Sequence, residues 1–466
     1  MKIDNLWLKY TEEDVTKVQE VCDRYKQCLD NGKTERECVA QVIEMAQQKG
    51  YRELHSVIKE GGTPKAGDKL YAVQMDKSIV LFQMGKKLVS EGMNILGAHI
   101  DSPRIDIKQK PLYEAEGFAY LDTHYYGGIK KYQWTTIPLA LHGVVAKKDG
   151  TAVKISIGEK DDEPVFVITD LLIHLAGEQM AKKADAVIAG EKLDLLIGNR
   201  PLQQSEELDK EEKEAVRANI LRLLSETYGI EEEDFLSADL EIVPAGRARD
   251  LGIDRSMILA YGHDDRVCAF TSVFAMLDLA DEITEHTLCC LLVDKEEIGN
   301  VGATGMASQF FENTIAELVA ATERDSQLLV RRALASSKML SSDVSAGFDP
   351  LYADVYEKKN SAFLAKGLAF NKYTGSRGKR GSSEATAEFV AQIRRIMEDA
   401  DVMYQFSELG KVDAGGGGTI AHLMAEYGMN VIDSGVSVLN MHAPYEVVSK
   451  ADVYEAVRGY RAFLRA

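Results

Sequence analysis

A seven-residue run from Thr287 to Val293 is almost entirely apolar, and the chain then turns abruptly to charge, including the adjacent carboxylates Glu296 and Glu297. An apolar run this short, between charged flanks, favours a buried strand over a helix. In open α/β sheets the functional groups lie just beyond the carboxyl ends of the strands. Two neighbouring glutamates there are costly to bury without a cation. If one glutamate holds a metal ion while the other moves a proton, both constraints are met. Taken alone, such a pair is more often simply solvated, so the rest of the chain decides.

Strand and helix patterns alternate after Arg255, and short apolar strands there lead into acidic or imidazole side chains. This alternation predicts an α/β fold with a mixed, mainly parallel sheet covered by helices. The N-terminal part predicts two helices, the second starting at Thr34 in a capping box with Glu37. Residues 71–84 predict two strands with a turn at residues 76–77.

The chain of 466 residues is too long for one ordinary core, so at least two domains are expected. Between residues 103 and 246 the sequence pattern becomes richer in predicted strands. A hairpin over residues 137–157, a strand at 165–168, acidic connectors at 206–212 and 231–234, and a helix at 212–227 are predicted there. The candidate site residues described below fall on both sides of this segment. We therefore predict that residues 103–246 form an inserted β-rich domain, and that residues 1–102 and 247–466 form one discontinuous catalytic domain.

The net charge of −19 argues against nucleic acid and against anionic membrane surfaces as partners. No apolar run approaches the ~18 residues of a transmembrane helix, and the first residues lack the layout of a signal peptide. The six cysteines contain no CxxC pair. We read them as reduced and structural, which predicts a cytoplasmic protein without a sulfur-ligated metal.

Five sets of acidic or imidazole residues lie at the ends of predicted strands. They are His99 with Asp101, Asp264 with Asp265, Glu296 with Glu297, Asp343, and His442. Side chains two positions apart on an extended chain point the same way. Asp101 can therefore accept a hydrogen bond from the ring nitrogen of His99 that a metal does not use. A single histidine at a strand end is more often structural, but five such sets are difficult to explain as separate accidents.

Five segments carry a resemblance to a known family. They are GAHIDSPRI at 97–105, GHDDRVCAF at 262–270, DKEEIGNVGATG at 294–305, SSDVSAGFDPLY at 341–352 and MHAPYE at 441–446. As an ordered set they resemble the aspartyl aminopeptidase / aminopeptidase I family of zinc metallopeptidases, over essentially the whole chain. The resemblance implies an α/β peptidase domain of zinc-peptidase type with an inserted β-rich dimerisation domain. It also implies two zinc ions per subunit, peptide substrates with a free N-terminus, and assembly into a tetrahedral dodecamer.

Carried over by position, the resemblance gives each candidate residue a role. His99 and Asp343 would bind one metal ion, Glu297 and His442 the other, and Asp264 would bridge them. Glu296 would be the general base and Asp101 would orient His99. In addition, His174 resembles a histidine that the inserted domain supplies to a neighbouring subunit's active site; the alternative is a buried histidine on an apolar face. The nitrogen and oxygen ligands suit zinc and also admit manganese or cobalt.

Several alternatives remain open from the sequence. A dinuclear deacylase acting on N-acyl amino acids would need the same site, and a non-catalytic scaffold could retain the fold. The basic residues Lys372, Arg377, Lys379 and Arg380 either bind an acidic substrate side chain or are solvated surface. Members of the resembled family differ between acidic and neutral first residues, so the resemblance implies a substrate whose first residue is acidic or neutral. The run Gly415–Gly418 indicates either close backbone approach to a site or a flexible loop.

Overall fold

The structure is a computed structural model that describes residues 5–202 and 214–466. By its internal contacts the chain divides into two compact units. The first contains residues 1–102, 248–441 and 446–466, and the second contains residues 103–247 and 442–445. The short stretch from His442 to Tyr445 thus belongs to the second unit, whereas the sequence analysis placed all of 247–466 in the first.

The helices and strands of the described ranges are as follows. The α-helices are α1 Glu12–Asn31, α2 Glu35–Gln48, α3 Leu54–Lys59, α4 Gly177–Met180, α5 Ala215–Tyr228, α6 His263–Asp278, α7 Phe310–Thr322, α8 Gln327–Ser336, α9 Ala387–Asp399, α10 Ala421–Ala425 and α11 Lys450–Arg465. The strands are β1 Arg52–Glu53, β2 Lys69–Gln74, β3 Ser78–Gln83, β4 Met93–His99, β5 Arg104–Ala115, β6 Phe118–Tyr126, β7 Leu139–Ala146, β8 Ala152–Ile157, β9 Leu195–Gly198, β10 Ala238–Pro244, β11 Arg249–Leu251, β12 Met257–Ala260, β13 Thr287–Val293, β14 Lys338–Ser342, β15 Ser345–Ala346, β16 Leu368–Asn371, β17 Tyr404–Phe406, β18 Asn430–Gly435, β19 Ser437–Leu439 and β20 Glu446–Ser449.

The first two helices begin at capping boxes. The Thr34 hydroxyl accepts a hydrogen bond from the Glu37 amide, and the Glu37 carboxylate accepts one from the Thr34 amide, as predicted. Helix α1 begins in the same way, with Thr11 and Asp14. Each box satisfies amide groups at the helix start that have no partner within the helix.

A nine-stranded sheet forms the centre of the first unit, in the order β1-β2-β3-β13-β4-β14-β18-β16-β17. Its middle strands β13, β4, β14 and β18 run parallel to one another, whereas β3 and β16 run antiparallel to their inner neighbours. Every residue of β13 is buried, as expected for a strand covered on both faces. The predicted α/β fold with a mixed, mainly parallel sheet is confirmed.

A smaller sheet of the first unit has the order β11-β12-β20-β19-β15. The single strand predicted over residues 430–441 is divided: β18 ends at Gly435 in the large sheet, and β19 continues in the small one. One segment can serve both sheets because the residues at the division, from Gly435 to Ser437, are all buried.

The second unit contains a six-stranded antiparallel sheet in the order β8-β7-β10-β5-β6-β9. The predicted hairpin is confirmed as β7 and β8. The predicted strand at 165–168 is wrong, because this segment makes only isolated bridges to Leu139 and Leu196. The predicted helix at 212–227 is found as α5, Ala215–Tyr228; residues 212 and 213, and with them the connector at 206–212, lie outside the described residues.

All six cysteines are buried free thiols. Among the described residues, no helix combines the length and the apolar character needed to cross a membrane.

Candidate metal centre

Neighbouring parallel strands deliver the central residues of the site. In the register of β4 and β13, His99 lies opposite Val293, so both strands end at the same level. Asp343 follows β14 directly, and its amide donates a hydrogen bond to the Ser434 carbonyl at 2.9 Å. The side chains that follow these strands therefore meet at one edge of the sheet, as the sequence analysis expected.

His99 is the buried centre of this group. Its Nε2 atom lies 3.3 Å from Asp264 Oδ1 and 4.0 Å from both Glu296 Oε2 and Asp343 Oδ1. Burial alone lowers the pKa of His99, but hydrogen bonds to Asp101 and Asp264 and the nearby carboxylate charges outweigh burial and raise this pKa well above its ordinary value. The ring thus faces a concentration of negative charge on the side that a metal would occupy.

Asp101 connects His99 to the glutamate pair. Its Oδ1 atom lies 3.2 Å from His99 Nδ1 and accepts a hydrogen bond from the Glu296 amide at 3.1 Å. Its Oδ2 atom accepts one from the Glu297 amide, also at 3.1 Å. One fully buried carboxylate therefore fixes both the imidazole ring and the backbone that carries the two glutamates.

The backbone turns sharply where the glutamates begin. Lys295 has a φ of 69° and Gly299 a φ of 95°, so left-handed residues flank the short 3₁₀ helix Glu296–Ile298. A lysine in this conformation is uncommon. The turn brings Glu296 and Glu297 back from the end of β13 to the amide contacts with Asp101.

Asp264 lies near the start of α6, where Asp264 and Asp265 have non-helical backbone angles. The Asp264 amide donates to Glu446 Oε2 at 2.9 Å, and its carbonyl accepts a hydrogen bond from Ser102 Oγ at 2.6 Å. Glu446 is buried at the start of β20. Glu446 closes the MHAPYE motif at 441–446, and its position four residues after His442 was the signal in the sequence that could have identified it.

Within residues 5–202 and 214–466, three sets of side chains have ligand atoms within 4.8 Å of one another. They are His99 with Asp264 and Glu297, His99 with Glu296 and Asp343, and Asp264 with Asp265 and Asp343. Asp264 thus lies near Glu297 in one set and near Asp343 in another, which is the placement required of a bridging ligand. The sequence placed Asp265 beside Asp264 at a strand end without a metal-binding role, and the structure brings its carboxylate into the cluster.

The donor set fits divalent cations. Burial, together with the charges of Asp265, Asp264 and Glu296, raises the pKa of Asp343 well above its usual range. Burial also raises the pKa of Asp265, and its Oδ1 atom is buried without a hydrogen-bond partner. Carboxylates crowded in this way repel one another, and divalent metal ions relieve the repulsion. Nitrogen and oxygen donors without sulfur suit zinc, manganese or cobalt.

Two predicted site residues lie in the second unit. His442 has a φ of 65°, and its Nδ1 atom is 2.8 Å from the Gly128 carbonyl in the same unit. Because a carbonyl oxygen only accepts, Nδ1 carries the proton in this contact. His174 is exposed in a 3₁₀ turn, so the alternative of a buried histidine is wrong.

The glycine run and the basic residues form two loops in contact. The Gly375 amide donates to the Gly417 carbonyl at 2.6 Å, and a Cβ atom on Gly416 would lie 2.5 Å from the Gly375 carbonyl oxygen. The run therefore allows close backbone approach to the basic loop. Within that loop, Lys372 and Lys379 both lie near Glu384, at 3.4 and 3.1 Å, so part of its positive charge is neutralised internally.

The chain is similar to one family over nearly its whole length. The family profile described as "Aminopeptidase I zinc metalloprotease (M18)" matches residues 28–464. A relative from Clostridium acetobutylicum, named "Probable M18 family aminopeptidase 1", is 55% identical over 460 residues, covering 99% of this chain and 97% of its own.

Two crystal structures show the same fold. Aminopeptidase I from C. acetobutylicum superposes with a TM-score of 0.92 at 52% identity, over 100% of both chains. An M18 family aminopeptidase from Thermotoga maritima gives a TM-score of 0.93 at 40% identity, over 100% of this chain and 99% of the other.

Proposed function

Because the chain belongs to the aminopeptidase I (M18) family of zinc metalloproteases and is therefore a metallo-aminopeptidase, we propose that it uses two divalent metal ions and Glu296 as general base. The observation that carries this proposal is the position of Asp264. Its ligand atoms lie within 4.8 Å of both the His99/Glu297 set and the Asp265/Asp343 set. A carboxylate between two groups of donors is the arrangement that a two-metal site requires.

His99 and Asp343 would hold one ion, Glu297 would hold the second, and Asp264 would contact both. The sequence motif adds His442 to the second ion. When bound, the ions lower the pKa of a water molecule and polarise the scissile carbonyl. Zinc is the expected metal, and the same donors accept manganese or cobalt.

Glu296 is placed to move a proton. Its Oε2 atom lies 4.0 Å from His99 Nε2, at the edge of the donor cluster, and its side chain retains 14% exposure whereas His99 has 2%. This carboxylate would take a proton from the attacking water and return it to the leaving amine. Asp101 contributes by holding the backbone of Glu296 and the ring of His99.

The proposed reaction can be tested with three classes of substrate. Peptides with a free N-terminus, the same peptides with an acetylated N-terminus, and N-acetyl amino acids would be compared with the metal-loaded enzyme. We expect turnover of the free peptides alone; turnover of N-acetyl amino acids would instead support the deacylase. A panel of first residues, acidic against neutral, then measures specificity. Because Glu384 lies against Lys372 and Lys379, we expect no exclusive preference for acidic residues.

We also propose a cytoplasmic homo-oligomer, a tetrahedral dodecamer, in which His174 acts in a neighbouring subunit's site. His174 lies among exposed apolar side chains, with Ile173 72% and Leu175 68% exposed. A local cluster of this kind is typical of an interaction surface. The mApe1 protein of Saccharomyces cerevisiae, 19% identical with a TM-score of 0.76, has been solved as a dodecamer. The six free cysteines support the location.

A mixing experiment tests the shared histidine. Glu296→Gln and His174→Phe chains would be inactive separately. Mixed oligomers of the two should recover part of the activity, because intact Glu296 sites then receive His174 from the other chain. If His174 acts within its own subunit, no mixture recovers activity. Light scattering measures the assembly independently.

A further inference from the structure

The outer edge of the nine-stranded sheet is open at β17. Among the described strands, β17 pairs only with β16, in parallel register. The Leu368 amide donates to the Met403 carbonyl, and the Ser407 amide donates to the Phe370 carbonyl, both at 3.0 Å. In a parallel pair, alternate residues direct their main-chain groups to the partner. The N–H and C=O groups of Tyr404 and Phe406 therefore point outward, and no hydrogen bond from the described part of the chain reaches them.

A cleft of about 700 Å³ adjoins this edge, within the size range of ligand sites. Its wall includes the aromatic side chains of Phe363, Tyr404 and Phe406. Phe406 is 36% exposed and lies 6.0 Å from Tyr404, ring centre to ring centre. The cleft thus offers apolar surface directly beside unpaired main-chain groups.

Positive charge surrounds the same cleft. Four cationic residues line it, Lys359, Lys366, Lys372 and Arg394, and no aspartate or glutamate is among its described lining residues. Glu384 lies 3.4 Å from Lys372, and Glu398 lies 3.7 Å from Arg394, so at least these two cations are paired from outside the cleft. Such a concentration of positive charge is unusual in a chain of net charge −19. Because salt screens charges over about 8–10 Å, the local cations decide what binds here.

We propose that the β17 edge and this cleft bind an extended acidic peptide as an added strand. The peptide main chain would bond to the outward groups of Tyr404 and Phe406, which is the geometry of strand addition. Side chains on alternate positions would then face the cleft. Acidic ones would pair with the lysines, and an apolar one would pack on Phe406.

The site is separate from the metal centre. Strand β17 is three strands away from β14, which delivers Asp343, so about 14 Å separate them at ~4.8 Å per strand. Binding therefore does not depend on the proposed catalytic roles. It can be measured with peptides that the enzyme does not hydrolyse.

The probe is a fluorescein-labelled, N-acetylated hexapeptide, Glu-Ser-Phe-Ser-Glu-Ser, whose alternate positions put two glutamates and a phenylalanine on one face, followed by fluorescence anisotropy. Two matched peptides separate the two parts of the proposal. One replaces each glutamate by lysine, and the other keeps the side chains but carries N-methyl groups at alternate amides. We expect each change to weaken binding at least tenfold. Equal binding of the acidic and basic peptides, or of the methylated one, would overturn the proposal.

Variants of the full-length protein complete the test. Phe406→Pro removes the outward amide of Phe406 without disturbing the β16 ladder, and Phe406→Ala controls for loss of the ring. Lys359→Glu is compared with Lys358→Glu, whose position does not line the cleft. We expect Phe406→Pro and Lys359→Glu to lose at least tenfold more affinity than their controls, with hydrolysis of dipeptides unchanged. If Phe406→Pro instead lowers the oligomer mass, the edge pairs with a second copy of the chain and the proposal fails.

Discussion

Replacing Asp101 by asparagine should weaken metal binding without unfolding the protein. The carboxylate accepts hydrogen bonds from two amides, one on each oxygen, and touches the His99 ring. Asparagine keeps one oxygen and replaces the other by an NH₂ group. In either orientation of the amide, the NH₂ group faces an N–H donor of Glu296 or Glu297. Because Asp101 is fully buried, water cannot replace the lost acceptor.

The size of the effect follows from this geometry. A hydrogen bond to a charged group contributes about 1.5–3 kcal/mol, and a buried donor without an acceptor costs about 1–3 kcal/mol. Changing a residue that orients a metal ligand typically costs about 10–100-fold in metal affinity or activity. We therefore expect zinc affinity to fall by about 10–100-fold, and turnover at saturating zinc to fall as well, because the Glu296 backbone loses its anchor.

We would measure zinc affinity by titrating the metal-free protein with zinc in competition with a chelator of known affinity. Asp281→Asn is the matched control, because Asp281 is exposed. Thermal unfolding of the metal-free proteins reports stability separately. An Asp101→Asn protein that binds zinc within twofold of the wild type would refute the role given to Asp101.

Three further predictions concern the same unit. Glu296→Gln should keep its metal ions and lose about 10²–10⁴-fold in turnover; retained turnover would move the base to Asp265. Elemental analysis of gently purified protein should give about two divalent ions per chain, and chelation should abolish an activity that zinc restores. Asp433 is a buried carboxyl, and burial raises its pKa to about 7, while the unfolded pKa is about 3.9. Between these values the folded state keeps a proton that the unfolded state releases, so wild-type stability falls with rising pH by up to about 1.4 kcal/mol per unit. Urea unfolding of Asp433→Asn should lack this loss, and identical pH slopes for the two proteins would contradict it.

The parts of the fold that the sequence predicted have strong local signals. The β13 strand was recognisable because it is apolar throughout, and the capping box of Thr34 and Glu37 was recognisable from residue types at fixed spacing. Strands β5 and β6 were not predicted, because their partly exposed residues include charges and Pro111. The segment at 165–168 was predicted as a strand but makes only isolated bridges. Its apolar pattern is typical of a strand, but strand formation also requires a pairing partner elsewhere in the chain.

In the candidate site, too, local sequence signals were predictable and long-range contacts were not. Residue types at strand ends predicted the cluster around His99, because parallel strands end together. The contacts made by Glu446 and by the Gly128 carbonyl could not be predicted, since they join a main-chain atom to a residue more than 180 positions away. The transfer of His442 to the second unit likewise depends on the three-dimensional course of the chain.

The strand order of the large sheet also determines when the site can form during synthesis. Strand β4, which carries His99, lies between β13 and β14, and about 240 residues separate His99 from Asp343 along the chain. At roughly 5–20 residues per second a ribosome needs on the order of 10–50 s to cover that distance. Strand β13 ends about 50 residues before Asp343, so for most of this interval β4 has neither of its neighbours. A site that contains both His99 and Asp343, as proposed, therefore forms only after most of the chain has been synthesised.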